Sequence, residues 1–209
     1  VMQKSETKST IRNPLITALD VGTTKVACFI ARQLNNEAAE VIGVGHQVSR
    51  GIKNGNIVDM VAVEDSIRAT VEAAEHMAGE NVRDVVLCLS GSVPKSKLIS
   101  FDVAVSGHEI SDLDLKRALD PTWLYSQQDD NRDIIHSLPV TYSIDGNSGI
   151  KDPRGMFGEK LGVNMHIITA SSGALRIFSA CVYRCRRDVD AQVVGSYAAG
   201  GACLGEGGK

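Results

Sequence analysis

The stretch Val85-Val86-Leu87-Cys88-Leu89 constrains this chain more than any other. It is a nearly continuous apolar run between Asp84 and Ser90-Gly91, and a strand buried on both faces reads this way. Ahead of it, Val63, Ile67, Val71, Ala74 and Met77 recur at helical spacing, which predicts a helix over 61–78 ended by Gly79 as a C-terminal cap. Ahead of that helix lie three short strand patterns, Leu15 to Leu19, Lys25 to Ala31 and Val41 to Val44, separated by a Gly-Thr-Thr turn and the polar break Asn35-Asn36-Glu37. A meander, a crossover helix and a buried strand make an α/β layer in which helices cover a mixed sheet.

From Ser92 to about Thr169 the pattern changes. It opens with an alternating strand from Leu98 to Val105 and passes through Ser111, an N-cap candidate, into a short helix from Asp112 to Leu119 that Pro121 stops. A polar loop at Gln127 to Arg132, strand-like segments around Ile134 to Ile144, a turn-rich stretch from Asp145 to Gly162 and a strand from Met165 to Thr169 complete a small α+β module. Helical periodicity returns from Ser171 to Cys185, with Leu175, Phe178, Val182 and Cys185 on one face, and Val189 to Val194 reads as a last strand. These two elements rejoin the first layer, so the module is an insertion and the layer is discontinuous in sequence.

Composition excludes several classes of function. With 209 residues, 43% hydrophobic and 22% charged, the chain has enough apolar content for a sizeable core. A net charge of −3 gives no general electrostatic reason to bind nucleic acid or an acidic membrane, and no nucleic acid is expected as a partner. No run reaches the length of about eighteen apolar residues that a membrane helix needs. Val1 to Asn13 is polar and lacks the apolar core of a secretion signal, so it reads as a disordered leader on a cytosolic protein. The five cysteines, Cys28, Cys88, Cys181, Cys185 and Cys203, are odd in number and scattered, which suits a reducing compartment. Cys181 and Cys185 lie one helical turn apart but have no second ligand pair nearby in sequence, and they read as buried thiols. His46, His76, His108, His136 and His166 are dispersed, with no serine or cysteine at nucleophile spacing, so no catalytic residue is assigned.

One segment carries chemistry: Ala18-Leu19-Asp20-Val21-Gly22-Thr23-Thr24-Lys25-Val26, a strand, a tight turn and a second strand. Gly22 lets the backbone approach a ligand, and the amides after it, with the hydroxyls of Thr23 and Thr24, can point at phosphate oxygens. Lys25 adds a positive charge, and Asp20 stands where a carboxylate can hold the water shell of Mg²⁺. The plain alternative is a hairpin turn that happens to contain Gly, Thr and Thr. Gly205-Glu-Gly-Gly-Lys209 only faintly suggests a Walker loop, with no Ser or Thr after the lysine, and reads as a flexible tail at 205–209.

Asp20-Val-Gly-Thr-Thr-Lys25 resembles the first phosphate loop of the actin, Hsp70 and sugar-kinase superfamily. The segments Val41-Ile-Gly-Val-Gly-His46, Ser49-Arg-Gly-Ile-Lys-Asn-Gly55, Ile57-Val-Asp59 and Leu89-Ser-Gly91 narrow the resemblance to the bacterial cell-division protein family FtsA. So do His136-Ser-Leu-Pro-Val-Thr-Tyr-Ser-Ile-Asp145, Gly149-Ile-Lys-Asp-Pro-Arg-Gly155 and His166-Ile-Ile-Thr169. The resemblance implies an α/β, actin-like (ribonuclease H-like) subdomain 1A formed by 14–92 and 170–204, with an inserted SHS2-type α+β subdomain 1C at 93–169. It implies ATP with Mg²⁺ as ligand, held by Asp20, Gly22, Thr23, Thr24 and Lys25, and at most weak hydrolysis. It further implies a scaffold in the cytoplasm, at the inner face of the cell membrane at the division site. There the family tethers FtsZ, recruits later septum proteins of the divisome, and self-associates through 1C.

In the family a second Asp-x-Gly-Gly-Gly-Thr phosphate loop follows soon after the position of Lys209, and the adenine pocket, the FtsZ-gripping subdomain and a C-terminal membrane-anchoring helix come later. A nucleotide held by one loop alone keeps only part of its contacts, at roughly 1.5–3 kcal/mol per charged hydrogen bond, so weak ATP affinity is expected of these residues. Two other readings stand beside the scaffold. One is a protein-interaction fragment that binds no nucleotide and acts through the inserted module. The other is a carbohydrate kinase of the same superfamily, which Lys25-Val-Ala-Cys28 and the 136–145 segment fit less well.

Overall fold

The computed structural model describes residues 14–35, 38–90, 94–120 and 131–203; the readings made for 1–13, Pro121, most of the 127–132 loop and 205–209 lie outside them. A five-stranded sheet has the order β11-β6-β1-β2-β3. Its strands are β1 (Leu15–Val21), β2 (Lys25–Gln33), β3 (Ala39–Val48), β6 (Asp84–Leu89) and β11 (Asp188–Val194). The meander β1-β2-β3 is antiparallel, while β1, β6 and β11 run parallel. A two-residue-strand hairpin, β4 (Ile52–Lys53) with β5 (Asn56–Ile57), lies between β3 and the first helix.

Helix α1 (Met60–Ala78) starts at Asp59, whose carboxylate accepts the Ala62 N–H, and ends at Gly79 in the left-handed conformation, φ 67°. Helix α3 (Ser172–Arg184) is capped by the Ser171 hydroxyl and lays Leu175, Phe178, Cys181 and Val182 inward. Both helices pack on one face of the sheet, sharing a core with Leu19, Val21, Val26, Cys28, Ile30, Val85, Leu87 and Leu89. The expectation that 85–89 is buried on both faces is corrected here. Val85, Leu87 and Leu89 are sealed, but Val86 and Cys88 are only half-buried, and on the same open face Ile16 and Phe29 stay 43% and 44% exposed. The run is continuous because that second face is apolar too, although no described helix seals it.

A second sheet, order β7-β10-β8-β9, is wholly antiparallel. Its strands are β7 (Lys95–Ala104), β8 (Arg132–Ile144), β9 (Asn147–Ile150) and β10 (Lys160–Ser171). It has a separate core of Val105, Ile110, Ala118, Tyr142, Ile144, Leu161, Val163, Met165 and Ile167, which α2 (Asp112–Ala118) helps to close behind a Ser111–Asp114 capping box. Pro139 is tolerated inside β8 because the pairing with β10 slips there, from Asn164↔Thr141 to Met165↔Pro139, leaving Val140 exposed. A final helix, α4 (Gly195–Cys203), was not anticipated, since its glycines at 195, 200 and 201 mask a helical pattern.

The two sheets meet where β10 runs into α3. Arg132 donates to the hydroxyl and the carbonyl of Thr169, at 2.9 and 2.8 Å, and the Ser172 hydroxyl donates to Asp133 at 2.8 Å.

Candidate functional site

The turn between β1 and β2 is closed by one short bond, Gly22 N–H to the Lys25 carbonyl at 3.0 Å. A Cβ on residue 22 would lie 3.0 Å from that same oxygen, so the turn needs glycine for close approach and not for a left-handed φ. The Gly22 amide is thus spent inside the turn, and the amides that follow it are the ones left for a ligand. The Thr23 hydroxyl oxygen accepts the Gly55 N–H at 3.1 Å, and the Thr24 carbonyl accepts the Ser49 N–H at 3.1 Å. Asn54 and Gly55, both left-handed at φ 51° and 77°, aim that Gly55 amide inward from the β4-β5 hairpin.

With the turn held from two sides, its outer surface stays available. Thr23, Thr24 and Lys25 are exposed. Among the described residues no protein acceptor takes the Thr23 or Thr24 N–H, and no carboxylate pairs with Lys25. Two free amides, a free hydroxyl and an ammonium group on one turn fit an anion such as a phosphate.

Asp20 stands at the end of β1, opposite Cys88 of β6 in the parallel register. The Ser90 hydroxyl donates to Asp20 Oδ1 at 2.9 Å. The Cys88 thiol is pushed up from its ordinary value by burial and, to a lesser degree, by the Asp20 charge. Gly195, the first residue of α4, lies so close to this corner that a Cβ there would come 3.1 Å from Ser90 Oγ. Asp20, the turn, Ser90 and the start of α4 thus converge at the carboxyl ends of the parallel strands β1, β6 and β11, where ligands of open α/β sheets sit. A half-buried carboxylate beside an anion-competent turn also suits the water shell of a divalent cation.

Sequence reasoning singled out Asp20, Gly22, Thr23, Thr24 and Lys25, and the structure brings all five into this corner. It missed Gly55, Ser90 and Gly195. Only Ser90 had a signal, since it ends the 85–89 run at the height where a parallel neighbour of β1 must end.

Elsewhere, His136 on β8 accepts the Val194 N–H at Nε2, 3.0 Å, and its ring lies 4.6 Å from that of Tyr197. Burial pushes the His136 pKa below its ordinary value. Cys181 and Cys185 are buried, Cys181 pushed up to about 11 chiefly by burial, and the Cys185 thiol donates to the Glu64 carbonyl. Among the described residues no group of three or more His, Cys, Asp or Glu is placed to hold a metal ion directly. No described helix is long and apolar enough to cross a membrane.

Comparison with known proteins places these features. Residues 91–169 match the SHS2 domain inserted in FtsA. Over 203 residues the chain is 40% identical to the cell division protein FtsA of Rhizobium meliloti (strain 1021), covering 92% of this chain and 46% of that protein. It is 29% identical over 192 residues to the FtsA of Escherichia coli, again covering 92% of this chain and 46% of that protein. Among solved structures it shares its fold with a chain of the PilM–PilN type IV pilus biogenesis complex, with TM-score 0.60 over 89% of this chain and 49% of that one, at 11% identity. The chain spans about half the length of the curated relatives it matches.

Proposed function

We propose, for a chain that belongs to the FtsA family of cell-division proteins, that it forms the nucleotide-responsive front part of a division scaffold. In this reading 14–92 and 170–204 form the actin-like unit and 93–169 the inserted unit. Asp20, Gly22, Thr23, Thr24 and Lys25 form the phosphate-binding corner for ATP with Mg²⁺. The cation supplies charge neutralisation between phosphate oxygens when bound. The chain's own part is to offer the Thr23 and Thr24 amides and the Lys25 ammonium to the phosphates and the Asp20 carboxylate to the cation's water shell. The observation that carries the reading is the pair of unspent amides at Thr23 and Thr24, held outward by the bonds from Gly55 and Ser49.

The inserted unit, with a core of its own, is the part read as contacting further copies of the chain and other division proteins. For the whole protein the family suggests FtsZ as a partner and the inner face of the cell membrane at the division site as the place of work. The chemistry is that of a switch, in which nucleotide occupancy biases assembly, and turnover is secondary.

The test suits weak binding. Mg-ATP titrated into the isotopically labelled chain is expected to shift the Thr23 and Thr24 amide resonances saturably. Lys25→Ala should weaken that response by roughly tenfold, the scale of one charge-assisted contact. A folded chain whose turn amides ignore Mg-ATP would overturn the nucleotide reading and leave the inserted unit as the working part.

A further inference from the structure

We propose that Ser90 is a positioning residue for the phosphate-binding corner: its hydroxyl fixes the Asp20 carboxylate so that the second oxygen faces the cation's water shell. The inference rests on the nucleotide reading above. Its own ground is geometric. Ser90 Oγ donates to Asp20 Oδ1 at 2.9 Å across two chain segments seventy residues apart, joined only because β1 and β6 pair in parallel with Asp20 opposite Cys88. A carboxylate at a strand end has two χ rotors to settle, and one hydrogen bond to a single oxygen selects which oxygen remains for water.

Ser90 is itself placed. The α-hydrogen side of Gly195 packs against it, and a Cβ at 195 would press on Oγ at 3.1 Å. Gly195 follows Val194, whose N–H is held by His136 of the second sheet at 3.0 Å. The orientation of Asp20 is thereby referred, through Ser90 and the β11–α4 junction, to the inserted unit. A scaffold whose inserted unit makes contacts has in this path a physical link between those contacts and cation binding.

The experiment compares the wild-type chain with Ser90→Ala, Ser90→Thr and Gly195→Ala by the amide shifts of Thr23 and Thr24. ATP is titrated first with a chelator present and then with Mg²⁺. In Ser90→Ala the chelator titration should match wild type, while the added response to Mg²⁺ weakens about tenfold, as for loss of a hydrogen bond to a charged group. Ser90→Thr, which keeps the hydroxyl, should restore it, and Gly195→Ala should weaken it in the same direction. A merely structural defect would weaken both titrations together, and that outcome overturns the inference. An undiminished Mg²⁺ response in Ser90→Ala overturns it as well, with the nucleotide corner intact. A wild-type chain that responds to neither titration sinks the nucleotide reading and this inference with it.

Discussion

Gly43 and Gly45 lie on the side of β3 against which α1 packs, and a methyl group on either would collide with the helix backbone. At Gly45 the added Cβ would run into the Thr70 carbonyl oxygen, and at Gly43 into that of Ala74. Backbone cannot rotate away as a side-chain tip can, so the helix must lift from the sheet. Gly45→Ala is therefore expected to destabilise the chain by about 2–3 kcal/mol, read as a lowered urea midpoint with an unchanged slope. Gly146→Ala is the contrast, since nothing lies within 4 Å of a Cβ there; its cost comes only from a φ of 87° and should be about 1 kcal/mol. The sequence shows a glycine at both kinds of position, and it does not show which one has a helix above it.

Among elements, α1 is tied to the turn that leads from α3 into β11. Arg187 donates to both oxygens of Glu75 at 2.9 and 3.0 Å, and Glu75 also accepts the Val82 N–H at 2.8 Å. The two side chains are only 19% and 11% exposed, so the pair is largely cut off from water. Removing one member strands the other charge, and Glu75→Ala should cost about 3 kcal/mol. The double change Glu75→Gln with Arg187→Met should lose less than that single change, because no buried charge is then left uncompensated. Equal losses in chemical denaturation would show that the pair is not the source. The ends of α1 were legible beforehand, since apolar residues at helical spacing and Gly79 are local signals. Its partnership with Arg187, more than a hundred residues away, was not.

On the scale of the molecule, two sheets with separate cores meet through Ala170 and Ile135, which pack into the first core, and through polar contacts, one of which His136 makes. Its Nε2 accepts the Val194 N–H, which requires the neutral ring. Burial lowers its pKa from the ordinary value of about 6.5, so the unfolded chain takes up this proton at a higher pH than the folded one. The contribution to stability is then fully present above about pH 6.5. It is lost progressively as pH falls from there through the folded-state value. Thermal unfolding followed from pH 8 to pH 5 should show a decline in Tm that is shallower in His136→Gln; an unchanged slope would assign the decline to other groups. The five histidines looked alike as dispersed residues in the sequence, because nothing near residue 136 reports that β11 will pass beside it.

What the sequence determined by itself is local. Periods of two and of 3.6, the caps at Gly79 and Ser111, and the Asp20–Lys25 turn each arise from interactions within a few residues, so the meander, the helices α1 to α3 and the inserted module could be read in order. The tertiary structure alone decided which of those pieces meet. Gly55 reaches Thr23 across 32 residues, Val194 reaches His136 across 58, and Ser90 reaches Asp20 across 70. Each of these bonds depends on a strand pairing or a hairpin position that has no signature in its own residues. Burial was misjudged at 85–89 for the same reason: an apolar run records that both faces avoid water, and only the packed structure shows that one face is sealed while Ile16 and Phe29 remain open on the other.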